Sequence, residues 1–471
     1  MDALKISHAA TEFRDRPFLV ADDLVWTFAE ACSRALGAQQ ALSSMGASSG
    51  RGIAFEAKAS PSTIVTVLAA LEAGIPFAPL HPKWTRDEAA RALSLLPDPI
   101  HVDPELLARK EAASSAVAPT HHSGPESLAA RLFTSGTSAA PKVVELPRRA
   151  FVASARAHTE NLPFVDGDRW LLAMPLSHVG GLSIVTRALG SGTAIVLRPS
   201  FDVDDTLATI ASCRVTLASF VPAMLPKLLS SDGDGRLRSL RAVLVGGAAF
   251  PAEIRRASAE AGVPALATYG LTETCSQIAT QRLLDARDPS SLDSGTPLHG
   301  VEARIDTTSS DGLGRIFVRG DMVMLGYLGH PTIDHGGWLD TGDVGSFDER
   351  GRLVVVGRAD DTIVTGGENV HPADVERDLA ACEGVVEVAV FGVPDPVWGQ
   401  VVAAALVLAP GFDPEHLLRS AARALSSFKR PRRFIVVDRI ATSPNGKVSR
   451  RALADSLAAR LRPMSYGADD K

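Results

Sequence analysis

The sequence predicts an α/β fold class: a large layered α/β N-terminal domain with a β-rich subregion, plus a small mobile α+β C-terminal domain. Three observations carry this. Compact apolar runs bounded by Gly or Pro alternate with segments of helical periodicity through the first half, as expected of mostly parallel strands covered by helices. Around Arg315 the texture turns to strand-like alternation with a tight turn between runs. After Gly357, the polar stretch Arg358-Ala359-Asp360-Asp361 separates this region from the last ~110 residues.

Taken in order, residues 63–71 have apolar side chains on helical spacing and stop at Gly74, and residues 76–80 read as a short buried strand. Residues 171–175, 193–197 and 242–245 read as further strands. In such sheets, ligand sites belong at the loops that follow strands. Residues 98–126, rich in Ala, Ser, Pro and His, read as a covering loop. Residues 315–320 and 352–357 alternate like antiparallel strands, with Asp348-Glu349-Arg350-Gly351 as a hairpin turn. A helix over 372–382 and a strand over 385–391 open the small module. The domains are expected at 1–359 and 360–471, with Asp360 as the hinge, because a charged joint with few packing residues can swing.

Composition narrows the function classes. At 471 residues, 45% hydrophobic and 22% charged, the chain has the make-up of a soluble globular protein with a large core. A net charge of -6 argues against a general nucleic-acid binder. The basic cluster Lys429-Arg430-Pro431-Arg432-Arg433 reads as a solvated turn or a local anion contact. Cys32, Cys213, Cys275 and Cys382 lie far apart without metal-ligand spacing, so zinc and a disulfide framework are not expected, and reduced, cytoplasmic thiols are. Met1-Asp2-Ala3-Leu4-Lys5 opens no signal peptide, and no apolar run reaches the ~18 residues of a membrane span.

The chemistry begins at Leu132-Phe133-Thr134-Ser135-Gly136-Thr137-Ser138-Ala139-Ala140-Pro141-Lys142. Hydroxyls and free N–H groups in such a loop can donate to phosphate oxygens, and a lysine offsets their charge. An ordinary Ser/Gly/Pro surface loop has the same composition. It is neither a Walker loop nor a dinucleotide-binding turn. Four clusters follow. Tyr269-Gly270-Leu271-Thr272-Glu273-Thr274 offers a carboxylate, Glu273, of the kind Mg²⁺ shares with phosphates, although Thr272 as a helix cap also accounts for it. Gly337-Trp338-Leu339-Asp340-Thr341-Gly342-Asp343 offers an Asp able to accept both hydroxyls of a ribose, or a polar turn between strands. Thr365-Gly366-Gly367-Glu368-Asn369-Val370-His371-Pro372 permits close backbone approach to a threaded ligand. Ser443-Pro444-Asn445-Gly446-Lys447-Val448-Ser449-Arg450 sets a lysine on a tight turn.

Together, in this order, these clusters resemble the adenylate-forming (AMP-binding) acyl-CoA synthetase superfamily over nearly the whole chain. The resemblance implies an acid–thiol ligase that works in two steps. A carboxylate attacks the α-phosphate of ATP, giving acyl-AMP and pyrophosphate, and a thiol, usually of CoA, then displaces AMP. It implies Mg²⁺ as cofactor, with ATP and CoA as co-substrates. By position, Thr134, Ser135, Gly136, Thr137 and Lys142 would hold the β- and γ-phosphates, Glu273 would bind Mg²⁺, and Thr272 would touch the α-phosphate. Gly246, Gly247, Ala248, Tyr269 and Gly270 would line the adenine site, Asp343 would hold the ribose with Arg358 beside it, and Lys447 would stabilise charge developing at the α-phosphate. Asp360 would be the hinge on which one face of the small domain serves adenylation. The face carrying Gly366, Gly367 and Glu368 then serves the CoA thiol. The chain departs from the family loop at Ala139 and Val143, where glycines are usual, a change that bears on loop mobility and turnover.

Within the superfamily, Pro79-Leu80-His81-Pro82-Lys83-Trp84-Thr85, Pro175-Leu176-Ser177-His178-Val179-Gly180-Gly181-Leu182-Ser183, the segment from Tyr269 to Gln277 and that from Gly366 to Pro372 resemble the o-succinylbenzoate–CoA ligases of menaquinone biosynthesis. An acid with a second carboxylate wants a cation or hydroxyl at the far end of its pocket. Ser183 and Arg187 lie one helical turn apart and can share a face, so they, Gln277 and His178 are the candidate substrate residues, the alternative for Arg187 being a surface position. Another aryl- or fatty-acyl-CoA ligase, an adenylation protein loading a carrier-protein thiol, and a non-catalytic nucleotide-binding relative stay open. A homodimer is also left open.

Overall fold

Hydroxyl side chains start several helices of the first half. Thr27 and Thr85 accept N–H groups of Glu30 and Glu88, whose carboxylates bond back to the cap N–H, so Phe28–Ser44 and Arg86–Ser94 begin with reciprocal capping boxes. Each such cap contributes ~1 kcal/mol. Ser60 caps Pro61–Ala73, in which every side chain from Thr63 onward is buried; a helix apolar on all sides belongs between layers. This computed structural model describes residues 3–109, 123–134, 142–288, 290–307, 312–365, 368–422, 425–442 and 448–466.

The chain divides into two compact units. One comprises Met1–Arg304, Phe317–Leu339 and Asp348–Leu353; the other comprises Ile305–Ile316, Asp340–Phe347 and Val354–Lys471. Among the described residues, the first unit carries a nine-stranded sheet. Its order is Thr296–Pro297, Ser276–Thr280, Ala265–Leu271, Ala242–Val245, Leu217–Phe220, Arg169–Leu172, Ala194–Leu197, Pro17–Ala21 and Leu24–Thr27. Its middle is parallel and its two ends are antiparallel. A second sheet runs Gly326–Tyr327, Lys142–Pro147, Leu128–Thr134, Phe77–Leu80, Ile53–Glu56 and Ile100–His101. Parallel middles put the loops at the strands' carboxyl ends on one edge, and in the nine-stranded sheet Gly246, Gly247 and Ala248 follow such an end.

In the second unit the long hairpin of Val385–Asp395 and Gly399–Leu408 is joined by Ile363–Thr365 and, in parallel, by Arg433–Val436. Helix Pro372–Ala380 covers one side through Val375 and Leu379, and helix Arg450–Leu457 packs Leu453 and Leu457 into a second cluster with Phe391 and Ile435. Among the described residues, no helix is long and apolar enough to cross a membrane.

Two expectations change. The covering loop expected over 98–126 contains strand Ile100–His101 and helix Pro104–Ala108. Asp103 accepts the N–H of Glu105 and Pro104 takes the first helical position, a local start that composition alone hides. The alternative of a polar turn at Gly337–Asp343 does not hold at Asp343, which lies inside strand Leu339–Phe347 and is buried.

Candidate active site

Strands Leu128–Thr134 and Lys142–Pro147 are antiparallel, with Thr134 opposite Lys142. Residues 135–141, which include Ser135, Gly136, Thr137 and Ala139, lie outside the described residues. Val143 is buried opposite Phe133 and packs with Ala54, Ala78 and Leu80. Core packing therefore accounts for its departure from glycine.

The Lys142 ammonium sits 4.8 Å from the centroid of the Tyr327 ring. The Tyr327 hydroxyl donates to Glu273 Oε1 at 2.8 Å. Glu273 lies in the single turn Thr272–Thr274 that follows strand Ala265–Leu271, and its carbonyl accepts the Met324 N–H at 2.9 Å. The turn is closed by the Thr274 hydroxyl, which accepts from Leu271 N–H at 3.0 Å, so Thr272 caps no helix. Tyr327 thus ties Lys142, at the end of the candidate phosphate loop, to the candidate metal ligand. Among the described residues no three His, Cys, Asp or Glu side chains form a metal cage. A lone carboxylate with one oxygen oriented by a tyrosine suits Mg²⁺, which takes most of its shell from phosphates and water.

Gly246, Gly247 and Ala248 follow strand Ala242–Val245, while Tyr269 and Gly270 end the neighbouring parallel strand. These five therefore meet at adjacent strand ends. A side chain at Gly270 would run into the Ser276 carbonyl, so the chain can only cross here without one.

Helix Val179–Ser191 starts at His178, whose ring centroid is 5.4 Å from that of His81. The Ser183 hydroxyl donates back to the Gly180 carbonyl at 2.9 Å. Arg187 is no surface arginine: it is 2% exposed. Its guanidinium lies 5.4 Å from the centroid of the buried Trp170 ring, Nη2 is 3.4 Å from Ser276 Oγ, and Nε has no hydrogen-bond partner. Among the described residues no carboxylate lies beside it, and burial pushes the guanidinium down to about 9, which still leaves it cationic at neutral pH. Gln277 is engaged within the protein: Nε2 donates to Thr268 and Thr280 at 3.0 and 2.8 Å, and Oε1 is 2.9 Å from His158 Nδ1.

In the second unit, Arg358 Nη1 donates to Asp343 Oδ1 at 3.1 Å and to the Thr341 carbonyl at 3.0 Å. Gly342 has φ +71°, a left-handed conformation that favours glycine, and it lies against the Arg358 guanidinium. Asp360 is exposed in the turn Ala359–Asp361. Glu368 opens the strand paired with Ile363–Thr365; Gly366 and Gly367 between them, and Lys447, lie outside the described residues. Within the basic cluster, Lys429 pairs with Asp374 at 3.5 Å and Arg433 with Asp395 at 4.0 Å.

Sequence reasoning passed over Tyr327, His158 and Trp170. His158 had a signal: it shares the spacing of Phe151, Ser154 and Ala157, the buried face of Arg148–Asn161. Tyr327 had none, since its partners are 185 and 54 positions away (327 − 142 and 327 − 273).

Residues 6–96 and 97–328 match the AMP-binding enzyme family, and residues 374–447 match the AMP-binding enzyme C-terminal domain. The 2-succinylbenzoate–CoA ligase of Bacillus pumilus is 32% identical over 95% of this chain and 96% of its own. That of Bacillus subtilis is 35% identical over 71% of this chain and 70% of its own. The solved o-succinylbenzoate CoA synthetase of Bacillus subtilis, in complex with its acyl-adenylate intermediate, superposes with a TM-score of 0.88 at 29% identity, covering 98% of this chain and 99% of the other. Its complex with ATP and magnesium gives 0.86 at 29% identity, covering 96% and 99%. The chain belongs to the AMP-binding enzyme family.

Proposed function

We propose that this protein is an AMP-forming acid–CoA ligase that activates o-succinylbenzoate as its acyl-adenylate and transfers it to CoA, giving o-succinylbenzoyl-CoA. The observation that carries the substrate is Arg187. A buried cation without a carboxylate beside it is costly to keep, and an acid whose second carboxylate reaches it supplies the missing charge. The curated relatives are named for the same reaction.

In this reading Thr134, Ser135, Gly136, Thr137 and Lys142 hold the β- and γ-phosphates. Tyr327 orients Glu273 as the Mg²⁺ ligand, and Thr272 touches the α-phosphate. Bound Mg²⁺ supplies neutralisation of phosphate charge. Gly246, Gly247, Ala248, Tyr269 and Gly270 receive adenine, Asp343 holds the ribose hydroxyls, and Arg358 fixes the Asp343 carboxylate. One substrate carboxylate oxygen attacks the α-phosphorus and pyrophosphate leaves. The CoA thiolate then attacks the acyl carbon and AMP leaves. The domains fall at 1–359 and 360–471, Asp360 is the hinge, and Gly366, Gly367 and Glu368 guide the thiol arm. His178 and Ser183 flank the acid.

The test is pyrophosphate release with ATP, Mg²⁺ and a panel of o-succinylbenzoate, benzoates and fatty acids, with and without CoA. CoA-supported turnover confined to o-succinylbenzoate is expected. Turnover with monocarboxylates alone would keep the reaction type and discard the named acid.

Tyr327→Phe addresses the metal ligand. It removes a hydrogen bond to a charged group, worth about 1.5–3 kcal/mol. The Mg²⁺ concentration for half-maximal pyrophosphate release should rise about tenfold. An unchanged Mg²⁺ dependence would separate Tyr327 from the metal.

A further inference from the structure

Helix Arg148–Asn161 lines a cavity of about 470 Å³ that no step described so far uses. The volume is in the range of small-molecule sites, and every lining residue lies in the first unit. Arg149, Val152, Ala153 and Arg156 follow one another at helical spacing on its wall. The wall therefore has a cation at each end, set about 10 Å apart along the helix axis, and an apolar middle. Arg148 joins the first cation and His299 the second, where Glu160 bridges Arg156 Nε at 2.9 Å and His299 Nδ1 at 3.0 Å. The Ser123 hydroxyl, also in the lining, is buried and without a hydrogen-bond partner. Water screens the charges unequally. Arg148 and Arg149 are 3% and 9% exposed. Glu126, which accepts from Arg149 Nε, has a 54% exposed side chain, and Asp321, the one lining carboxylate among the described residues, a 66% exposed one. Buried guanidiniums against well-solvated carboxylates make the cavity favour anions. Arg149 also leads to the candidate active site. Its Nη1 donates to the Asp321 and Val323 carbonyls at 2.6 and 2.8 Å, and the next N–H along, that of Met324, donates to the Glu273 carbonyl.

We propose that this cavity is an effector site for a small dicarboxylate with an apolar middle, and that its occupant weakens Mg²⁺ binding at Glu273. One carboxylate accepts from Arg149 and Ser123, the other accepts from Arg156, and the chain between them covers Val152 and Ala153. An acceptor on Arg149 competes with the Asp321 and Val323 carbonyls for the guanidinium, and so loosens the segment whose Met324 N–H holds the Glu273 turn. The binding half stands on the cavity alone. The coupling half rests on the reading of Glu273 as the Mg²⁺ ligand.

The probes are suberate, an extended chain with a carboxylate at each end, and octanoate, the same chain with one, titrated calorimetrically into the full chain. Suberate should bind about tenfold more tightly than octanoate, and Arg156→Glu should remove that advantage. The Arg156 side chain is 69% exposed and belongs to no part of the candidate active site, so this variant should fold and keep its basal pyrophosphate release. Arg187→Met should bind suberate as the unaltered chain does, which separates the cavity from the acid pocket. No binding of suberate, or binding that Arg156→Glu leaves intact, overturns the site. Bound suberate should also raise the Mg²⁺ concentration for half-maximal pyrophosphate release about fivefold. If it does not while Tyr327→Phe does, the coupling through Arg149 fails. If neither changes the Mg²⁺ dependence, the assignment of Glu273 falls and the coupling with it.

Discussion

Arg187→Met should cut kcat/KM for o-succinylbenzoate by about 10²–10³-fold and, at the same time, raise the thermal midpoint of the protein without ligand. The two effects have one cause. The guanidinium is buried against Trp170 with Nη2 at the edge of hydrogen-bond reach of Ser276 and Nε unpartnered, so the folded chain bears a desolvated charge. Burial lowers its folded pKa to about 9, well below the ordinary guanidinium range. The protonated form is therefore disfavoured on folding, so the penalty is complete at every pH below about 9 and is relieved as pH rises from there towards the ordinary guanidinium range. Methionine has similar reach and no charge, and replacing a buried charge with an apolar residue of matched volume is commonly neutral to stabilising by about 1–4 kcal/mol. A midpoint that falls together with activity would show that Arg187 holds the fold, and the functional reading of its burial would be lost.

The spacing of Ser183 and Arg187 on one helix is legible in the chain, because 3.6-residue periodicity is local. Its consequence is not. Whether an arginine on an amphipathic segment faces water or Trp170 is decided by which strands lie beneath the helix, and strand 169–172, which carries Trp170, is placed by a pairing with Leu217, remote in sequence. The phosphate loop, the Gly-Leu-Thr-Glu turn and the Asp343 segment can be read because each is a contiguous string with its own chemistry. The triad of Lys142, Tyr327 and Glu273 cannot, since it is assembled by the two-residue pairing of Gly326 and Tyr327 with Glu145 and Val144. Asp343 shows the same limit. Its flanking glycine reads as a turn, yet Gly342 takes its left-handed φ within a strand, against the Arg358 guanidinium.

Lys447→Ala should slow acyl-adenylate formation by about 10²–10³-fold. Two anions, the acid and the α-phosphate, must approach, and charge builds on the oxygens between them; an ammonium placed there acts most strongly in the transition state. The fold should persist, because the chain is anchored on both sides of the substitution. Thr442 and Val448 form a β-bridge. Ser449 caps the helix Arg450–Leu457 through the Ala452 N–H. Arg450 binds Asp361 at 3.1 Å, Glu376 at 2.8 Å and the Val390 carbonyl at 3.0 Å. None of these contacts uses the lysine. The two half-reactions can be measured apart, as pyrophosphate exchange and as thioester formation from preformed acyl-adenylate and CoA. The first should collapse while the second, which forms no new bond at phosphorus, loses far less. Near-normal exchange would remove Lys447 from adenylation. Equal loss in both would point instead to a binding defect shared by ATP and the adenylate, and the electrostatic assignment would have to be given up.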